Sequence, residues 1–450
     1  MSLSPLLGAV PPEVITPQTS LARAIGLGAT LYGYPLVEMY RTCVLQTQRA
    51  SPGWRALNTL RHVRHLSTPS QREVVTPSDD LLYSHAWLSL YDGPVALSVP
   101  ASAEHPGHHF ILSLYDAYTE NFLNLDPRNC APGGETLWLV GPTGGTTPPG
   151  ARVVHCPTAL VWLIARVLVR QGMDLQAAQA LQSDIQLHPC CTPAHTPWAL
   201  KRWKNTTSVM DAQRAGAHAE HMAPAFFTDF CMALKEAPGR PQDQNLLRWI
   251  RQAGLHGDAL FDWQALAPWR REGLTQGFAE AIQLLAALPL SRTPQPWRTP
   301  SVCGRYGSDY LSRALAASTA LGALSPDEVI YGISHFSADH RPLHGRHRYI
   351  LRLAPDQCPA PGTLWSLTLY DAAGQLHANP LSRHGFGDRC PWLAADPDGH
   401  LDIHFAHQAP ANPRNWLPTP AGSFHLVLRQ YIPQEGAPPW SMPALQRSDA

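Results

Sequence analysis

The chain has 450 residues, beyond the roughly 100–200 of a single domain, so two or three domains are expected. Lys+Arg and Asp+Glu balance at 34 each and charged residues reach only 15%, which excludes a dedicated nucleic-acid binder built on a basic surplus. Proline, at 44 residues, is close to twice its ordinary share of roughly 5%, which argues against a long-helix bundle.

Residues 1–20 read as a flexible N-terminal arm. They lack a basic n-region, and the apolar stretch is short and broken by proline, so no signal peptide is expected. No apolar run reaches about 18 residues, so no transmembrane segment is expected either. Nine cysteines without zinc-like or redox spacing fit reduced thiols and a cytoplasmic location. Residues 21–173 read as an N-terminal β-sandwich domain with flanking helices. Its first helix runs near Ser20–Arg41 with Pro35 inside. Short apolar runs follow, at 73–75, 87–93, 95–100, 110–117 and 151–154, each bounded by turn residues as strands are. The run TALVWLIARVLVRQG after Pro157 reads as an amphipathic helix ended by Gly172. Residues 174–300 carry apolar residues at helical spacing between proline-rich joints and read as a helical insert and linker. Residues 301–450 add one helix from Tyr306, DYLSRALAASTALGAL, and then strand texture again, a C-terminal β-sandwich of jelly-roll-like type. The fold class is α+β, mostly β.

Sliding the chain by 255 positions lays Tyr115-Asp116-Ala117 on Tyr370-Asp371-Ala372, Asn124 on Asn379 and Arg128 on Arg383. An internal duplication giving two related sandwiches would explain that match.

Several motifs, in order, carry a family resemblance. They are Tyr32-Gly33-Tyr34-Pro35, Asn58 with His62, Pro77–Tyr83, Leu114–Tyr118 and Leu139–Pro142, then Tyr331, Asp339, Gly345, Tyr349, Trp365–Asp371, Asn379-Pro380, Arg383, Asn415–Pro418 and Arg429–Tyr431. The chain resembles the bacterial two-part family in which domain of unknown function 1254 precedes domain of unknown function 1214. The resemblance implies two sandwich or jelly-roll-like domains with helical additions, and it assigns no chemistry. The family's usual Pro-Asn-Asn-Asp-Thr-Leu-Tyr is Pro77-Ser78-Asp79-Asp80-Leu81-Leu82-Tyr83 here, so this member's ligand, if that loop holds one, need not be the family's. Many relatives look exported.

Asp79 and Asp80 follow a predicted strand. Adjacent carboxylates in a poorly solvated place raise one pKa and suit proton transfer; equally, Asp shapes turns by accepting backbone amides. Tyr83 can lend a phenol to the same place or be a core aromatic. Arg128 and Arg383 can grip a carboxylate or phosphate, or pair with an Asp at a strand end. Asn415-Trp416 suits a stacking loop or a structural corner. His400, Asp402 and His404 share a strand face, yet a solvated face is the plainer reading, and no metal or other cofactor is expected. No nucleophile elbow, phosphate loop or dinucleotide fingerprint is present.

The reading that follows is a protein binding a small polar organic ligand in an interdomain cleft. If it is catalytic, it is a cofactor-free hydrolase or isomerase with Asp80 as acid or base, Tyr83 assisting, and Asn58, Asp79, Arg128, Arg383, Asn415 and Trp416 as ligand contacts. The alternative is a non-catalytic carbohydrate-binding or assembly protein, associated with the cell envelope, that presents Trp87, Trp138, Trp365 and Trp416 as an exposed row. Homo-oligomerisation is left open.

Overall fold

The computed structural model describes residues 16–48, 55–71, 76–169, 175–191, 203, 207–258, 260–288, 295–300, 302–358, 363–388, 390, 392–432 and 442–448. The predicted arm up to residue 15, the 73–75 run and residues 289–294 of the predicted Pro289–Pro300 linker lie outside them. Two compact units form, Met1–Thr42 with Pro197–Leu290, and Cys43–Thr196 with Ser291–Ala450. Helix and strand take 30% and 25% of the structure, in four sheets and no barrel, so the fold is mixed α+β.

The first unit is helical. It contains most of α1 (Pro17–Thr47), then α3 (Val209–Arg214), α4 (Ala219–Glu236), α5 (Gln244–Arg251) and α6 (Pro268–Ala287); α2 (Leu175–Asp184) belongs to the second unit. Small residues set the packing. A Cβ on Gly277 of α6 would sit 2.2 Å from the Arg23 carbonyl oxygen of α1, so the two backbones touch where no side chain intervenes. Phe226, Phe227, Phe230 and Phe278 fill the space between α4 and α6.

The second unit holds two sandwiches. Strands β1 (Arg61–His62), β2 (Leu81–Ser89), β8 (Leu160–Leu168), β4 (Phe110–Tyr115) and β5 (Asn121–Leu125) lie in that order in one antiparallel sheet. Facing it are β7 (Arg152–His155), β6 (Glu135–Val140), β3 (Val95–Val99) and β9 (Gln186–Pro189), with β6 and β7 parallel. Leu82, Leu88, Leu112, Leu114, Leu163 and Val167 meet Leu97, Leu137 and Leu139 in one core. The C-terminal sandwich has the sheet β10 (Val329–Ser334), β16 (Phe424–Tyr431), β12 (Leu364–Asp371) and β13 (Gly385–Gly387). Its partner sheet is β15 (Trp416–Pro418), β14 (Leu401–Ala406), β11 (Tyr349–Leu353) and β17 (Gln446–Arg447), with β14 and β15 parallel. Helix α7 (Tyr310–Thr319) precedes β10.

The predicted helix after Pro157 is instead strand β8. All nine of its residues are buried, because one face packs in the core and the other against Leu324, Val329 and neighbouring groups. A strand covered on both faces loses the alternation that marks strands, and its continuous apolar run then imitates a buried helix.

Candidate functional site

Between the two sandwiches, within the second unit, the outward faces of the β2-β8-β4 and β10-β16-β12 sheets close on a small cluster of Leu81, Ile111, Leu168, Leu324, Val329 and Tyr431. The segment 76–80 crosses this seam. Pro77 offers its carbonyl to the Tyr370 hydroxyl (2.7 Å), and Thr76, at φ 50°, offers its carbonyl to an Arg429 guanidinium nitrogen (2.7 Å). A bend there turns the next three side chains inward, and Ser78, Asp79 and Asp80 are all buried.

The two carboxylates differ in their partners. Ser78 Oγ donates to Asp80 Oδ1 at 2.7 Å and lies 2.9 Å from the Tyr431 hydroxyl, which is itself 3.5 Å from Asp80 Oδ1. From other residues Asp79 Oδ1 takes only a long bond, from Thr368 Oγ1 at 3.4 Å, while its own backbone amide also favours the charged form. Burial, and then the neighbouring Asp80 charge, push the Asp79 carboxyl from 3.8 up to about 7; Arg429 opposes the shift without overcoming it. Tyr83 accepts the Ser78 amide on its hydroxyl (3.1 Å) and stacks on His85. Ser78 and Asp79 occupy positions where the resembled family carries Asn, and Leu81 lies in the apolar seam. The departures from the family motif are thus concentrated at one buried place.

Two arginines flank it. Arg429 donates to Thr76 O and Thr368 Oγ1 and stands 5.8 Å from the Tyr370 ring. Arg166 donates to Gly322 O (2.8 Å), Ser113 Oγ (3.3 Å) and the Tyr115 hydroxyl (3.5 Å), and stands 6.0 Å from the Tyr83 ring. Both are buried, and neither makes an ion pair among the described residues. Their settings correspond strand for strand: Arg166 lies opposite Tyr83 and Ile111, and Arg429 opposite Tyr331 and Ser366. Ile111 and Ser366 are 255 positions apart, as are Tyr115 and Tyr370. Those two buried tyrosines each donate to a backbone carbonyl from another segment, Gly322 and Pro77.

Sequence reasoning missed both arginines. The signal was a lone cation inside an otherwise apolar strand run, VWLIARVLV and HLVLRQY, a place a charge enters only with a function or a partner.

The other predicted residues lie elsewhere and are held by internal partners. Asn58, at φ 58°, clasps Ser89 by both its amide ends, at 2.8 and 3.1 Å. Arg128 pairs with Asp126 and, at 2.6 Å, with Glu328, whose carboxyl is pushed up to about 7 by burial and by Asp126. Arg383 donates to the Trp416 carbonyl (2.9 Å) and lies near the Phe386 and Trp392 rings. Asn415 ties Ala394 to Asp402 through their backbones, and Trp416 is buried with its indole N–H on Ala406 O. Asp116 and Asp371 each accept two turn amides. Trp87, Trp365 and Trp416 are buried and Trp138 is half-buried, so the exposed tryptophan row is not formed; the Trp87 ring stacks on Trp162 instead. Asp402 is gripped by Arg352 across β11 and β14, and among the described residues no three His, Cys, Asp or Glu side chains gather as metal ligands. No described helix is long and apolar enough to cross a membrane.

No curated protein matches the chain significantly. The VPA0106 protein from Vibrio parahaemolyticus, known from its crystal structure, superposes with a TM-score of 0.66 at 20% identity, over 95% of this chain and 100% of that one, and so shares the fold. A putative uncharacterized protein from Burkholderia cenocepacia aligns over 96% of this chain and 95% of its own at 12% identity, with a TM-score of 0.45. Residues 57–189 match the family described as Protein of unknown function (DUF1254), and residues 328–435 that described as Protein of unknown function (DUF1214). These stretches cover just over half the chain and coincide with the two sandwiches, and the chain belongs to the family that joins these two parts in this order.

Proposed function

We propose that the protein binds a small polar organic ligand at the seam between its two sandwiches, and that the Asp79–Asp80 pair carries the proton such a ligand exchanges. The observation that supports this most is the pair itself. Two adjacent carboxylates are buried, one well partnered and one held only by a 3.4 Å contact, beside an arginine that has no ion pair among the described residues. Packing alone gives no reason to bury that combination, because unpaired charge is costly in the interior. With one proton on the pair, Arg166 and Arg429 face a single negative charge, and a ligand bearing one carboxylate completes the balance. Hydrolysis or isomerisation without a cofactor fits a shared proton between acid and conjugate base, with Tyr83 as the nearby phenol.

The matched strand orders and the paired Arg166 and Arg429 settings support an internal duplication as the origin of the seam. In that reading the 76–80 segment is the asymmetric addition that makes one of two like faces reactive.

The test is ligand-observed NMR of the full chain with a panel of small hydroxy and keto acids. A bound acid should change affinity by at least about tenfold in Asp80→Ala, as expected for a charged hydrogen bond worth about 1.5–3 kcal/mol. The variant's circular dichroism should match the parent. No bound acid, or a bound acid indifferent to Asp80→Ala, overturns the reading.

A further inference from the structure

The helical unit contains a separate cavity of about 120 Å³, lined by α1, α3 and α4 together with Trp203 and Thr207. A cavity of roughly 150 Å³ is known to hold benzene, so an occupant of about five or six heavy atoms fits. Two of its lining groups are carboxylates. Glu38, 2% exposed, spends one oxygen on Arg41, Oε2 receiving Nε at 2.6 Å, while its buried Oε1 meets no donor in hydrogen-bonding geometry. Asp229 makes no hydrogen bond or ion pair among the described residues. Arg41 therefore offsets Glu38, while Asp229 has no counter-charge among the described residues. The remaining wall is mostly apolar, from Val37, Met222, Phe226 and the Trp203 indole, which stacks on Tyr40 with centroids 6.3 Å apart, with Thr207 and His221 as its other polar residues.

We propose that this cavity binds a small primary ammonium ion, its charge held by Asp229 and the open oxygen of Glu38 and its alkyl part by Trp203 and Phe226. One cation offsets the Asp229 charge, its three N–H donors suit that carboxylate and the one open oxygen of Glu38, and an indole face favours positive charge beside it. A metal ion fits poorly, since it would demand more oxygen ligands than two and would leave the aromatic wall unused. Burial pushes both acids upward, Asp229 to about 7 and Glu38 against the opposing pull of Arg41. None of these residues takes part in the seam between the sandwiches, so the two proposals stand or fall separately.

The experiment is isothermal titration of the full chain with n-butylammonium, with n-butanol and butyrate as neutral and anionic counterparts. Butylammonium should bind, and the other two should not. Asp229→Asn should weaken it by at least about tenfold, the loss expected of a charge-assisted contact. Ala225→Trp, which fills the cavity from its exposed side, should abolish binding while leaving the circular dichroism unchanged. Equal binding of butanol, or unchanged affinity in either variant, overturns the proposal. So does absence of binding at millimolar ammonium.

Discussion

Replacing Asp79 by Asn should stabilise the protein above neutral pH and do little in acid. In the folded chain the Asp79 carboxyl titrates at about 7, against 3.8 when exposed. A carboxyl raised in this way binds its proton more tightly folded than unfolded. Its contribution is therefore fully present below about pH 3.8, shrinks as pH rises, and is lost above about pH 7, where folding must bury the ionised form. The rise from 3.8 to about 7 sets an upper bound of about 4 kcal/mol on that loss. Asn keeps an acceptor for Thr368 Oγ1 and never ionises, but it adds an NH₂ needing a partner and gives up the attraction to Arg429, together worth about 1–2 kcal/mol. The expected net gain is about 2–3 kcal/mol at pH near 8, falling to zero or a small loss near pH 4. Urea unfolding of both proteins at about pH 4, 6 and 8 measures it; Asp229 and Glu328 also titrate near 7 but are common to both chains and cancel in the difference. A difference independent of pH, or a parent more stable than the variant at high pH, refutes the placement of an ionisable group in a dry seam. The same substitution moves position 79 to the residue usual in the resembled family, so the stability cost of Asp there measures what this member gives up for its second carboxylate.

Two further outcomes test the scaffold. Asn58→Ala should cost about 3–5 kcal/mol in urea unfolding, from two orphaned Ser89 backbone groups and a left-handed backbone that alanine resists; Asn58→Gly should recover about 1 kcal/mol of it, and equal losses would argue against the backbone contribution. Gly345→Ala should lower the melting temperature sharply, because its Cβ would lie 1.7 Å from the Pro420 carbonyl oxygen, whereas Gly422→Ala, whose Cβ meets nothing within 4 Å, should melt like the parent.

What the sequence reveals depends on how local the cause is. Strands with one solvated or thinly covered face, such as β14 with its alternating Leu401, Ile403 and Phe405, announce themselves by period two. Strand β8 does not, because burial on both sides erases the period, and Pro157 and Gly172 bracket a strand as readily as a helix. At the seam, Asp79 and Asp80 are legible because acids beside Pro77 signal a turn, and a turn that must bury them is unusual. Their partners are not legible. Tyr370, Arg429 and Tyr431 lie roughly 290–350 positions further on and reach the pair only through the β12–β16 register. Asn58, Arg383 and Asn415 show the opposite case. Polar residues in loops suggest a ligand, but a side-chain amide that clasps backbone donors and acceptors has the same sequence signature as one that clasps a substrate.

The chemistry of the seam follows from what its two faces lack. Each sandwich turns outward a strand pair carrying one arginine, and a buried guanidinium with no carboxylate against it is tolerable only where carbonyls, hydroxyls and aromatic faces surround it. Gly322, Thr76 and the Tyr83 and Tyr370 rings provide that setting, so neither arginine needs Asp79 for its own satisfaction. Asp79 is left buried beside the Asp80 charge, with only a long contact from another side chain, that of Thr368, and its carboxyl is pushed up to about 7. Had either arginine been paired to Asp79 directly, the carboxyl would have been driven down instead, as the Arg352 contact does to Asp402. Burial and the Asp80 charge thus raise the Asp79 carboxyl, with Arg429 opposing them at less than full strength, and a substitution that brought a cation into direct contact with Asp79 would be expected to lower it.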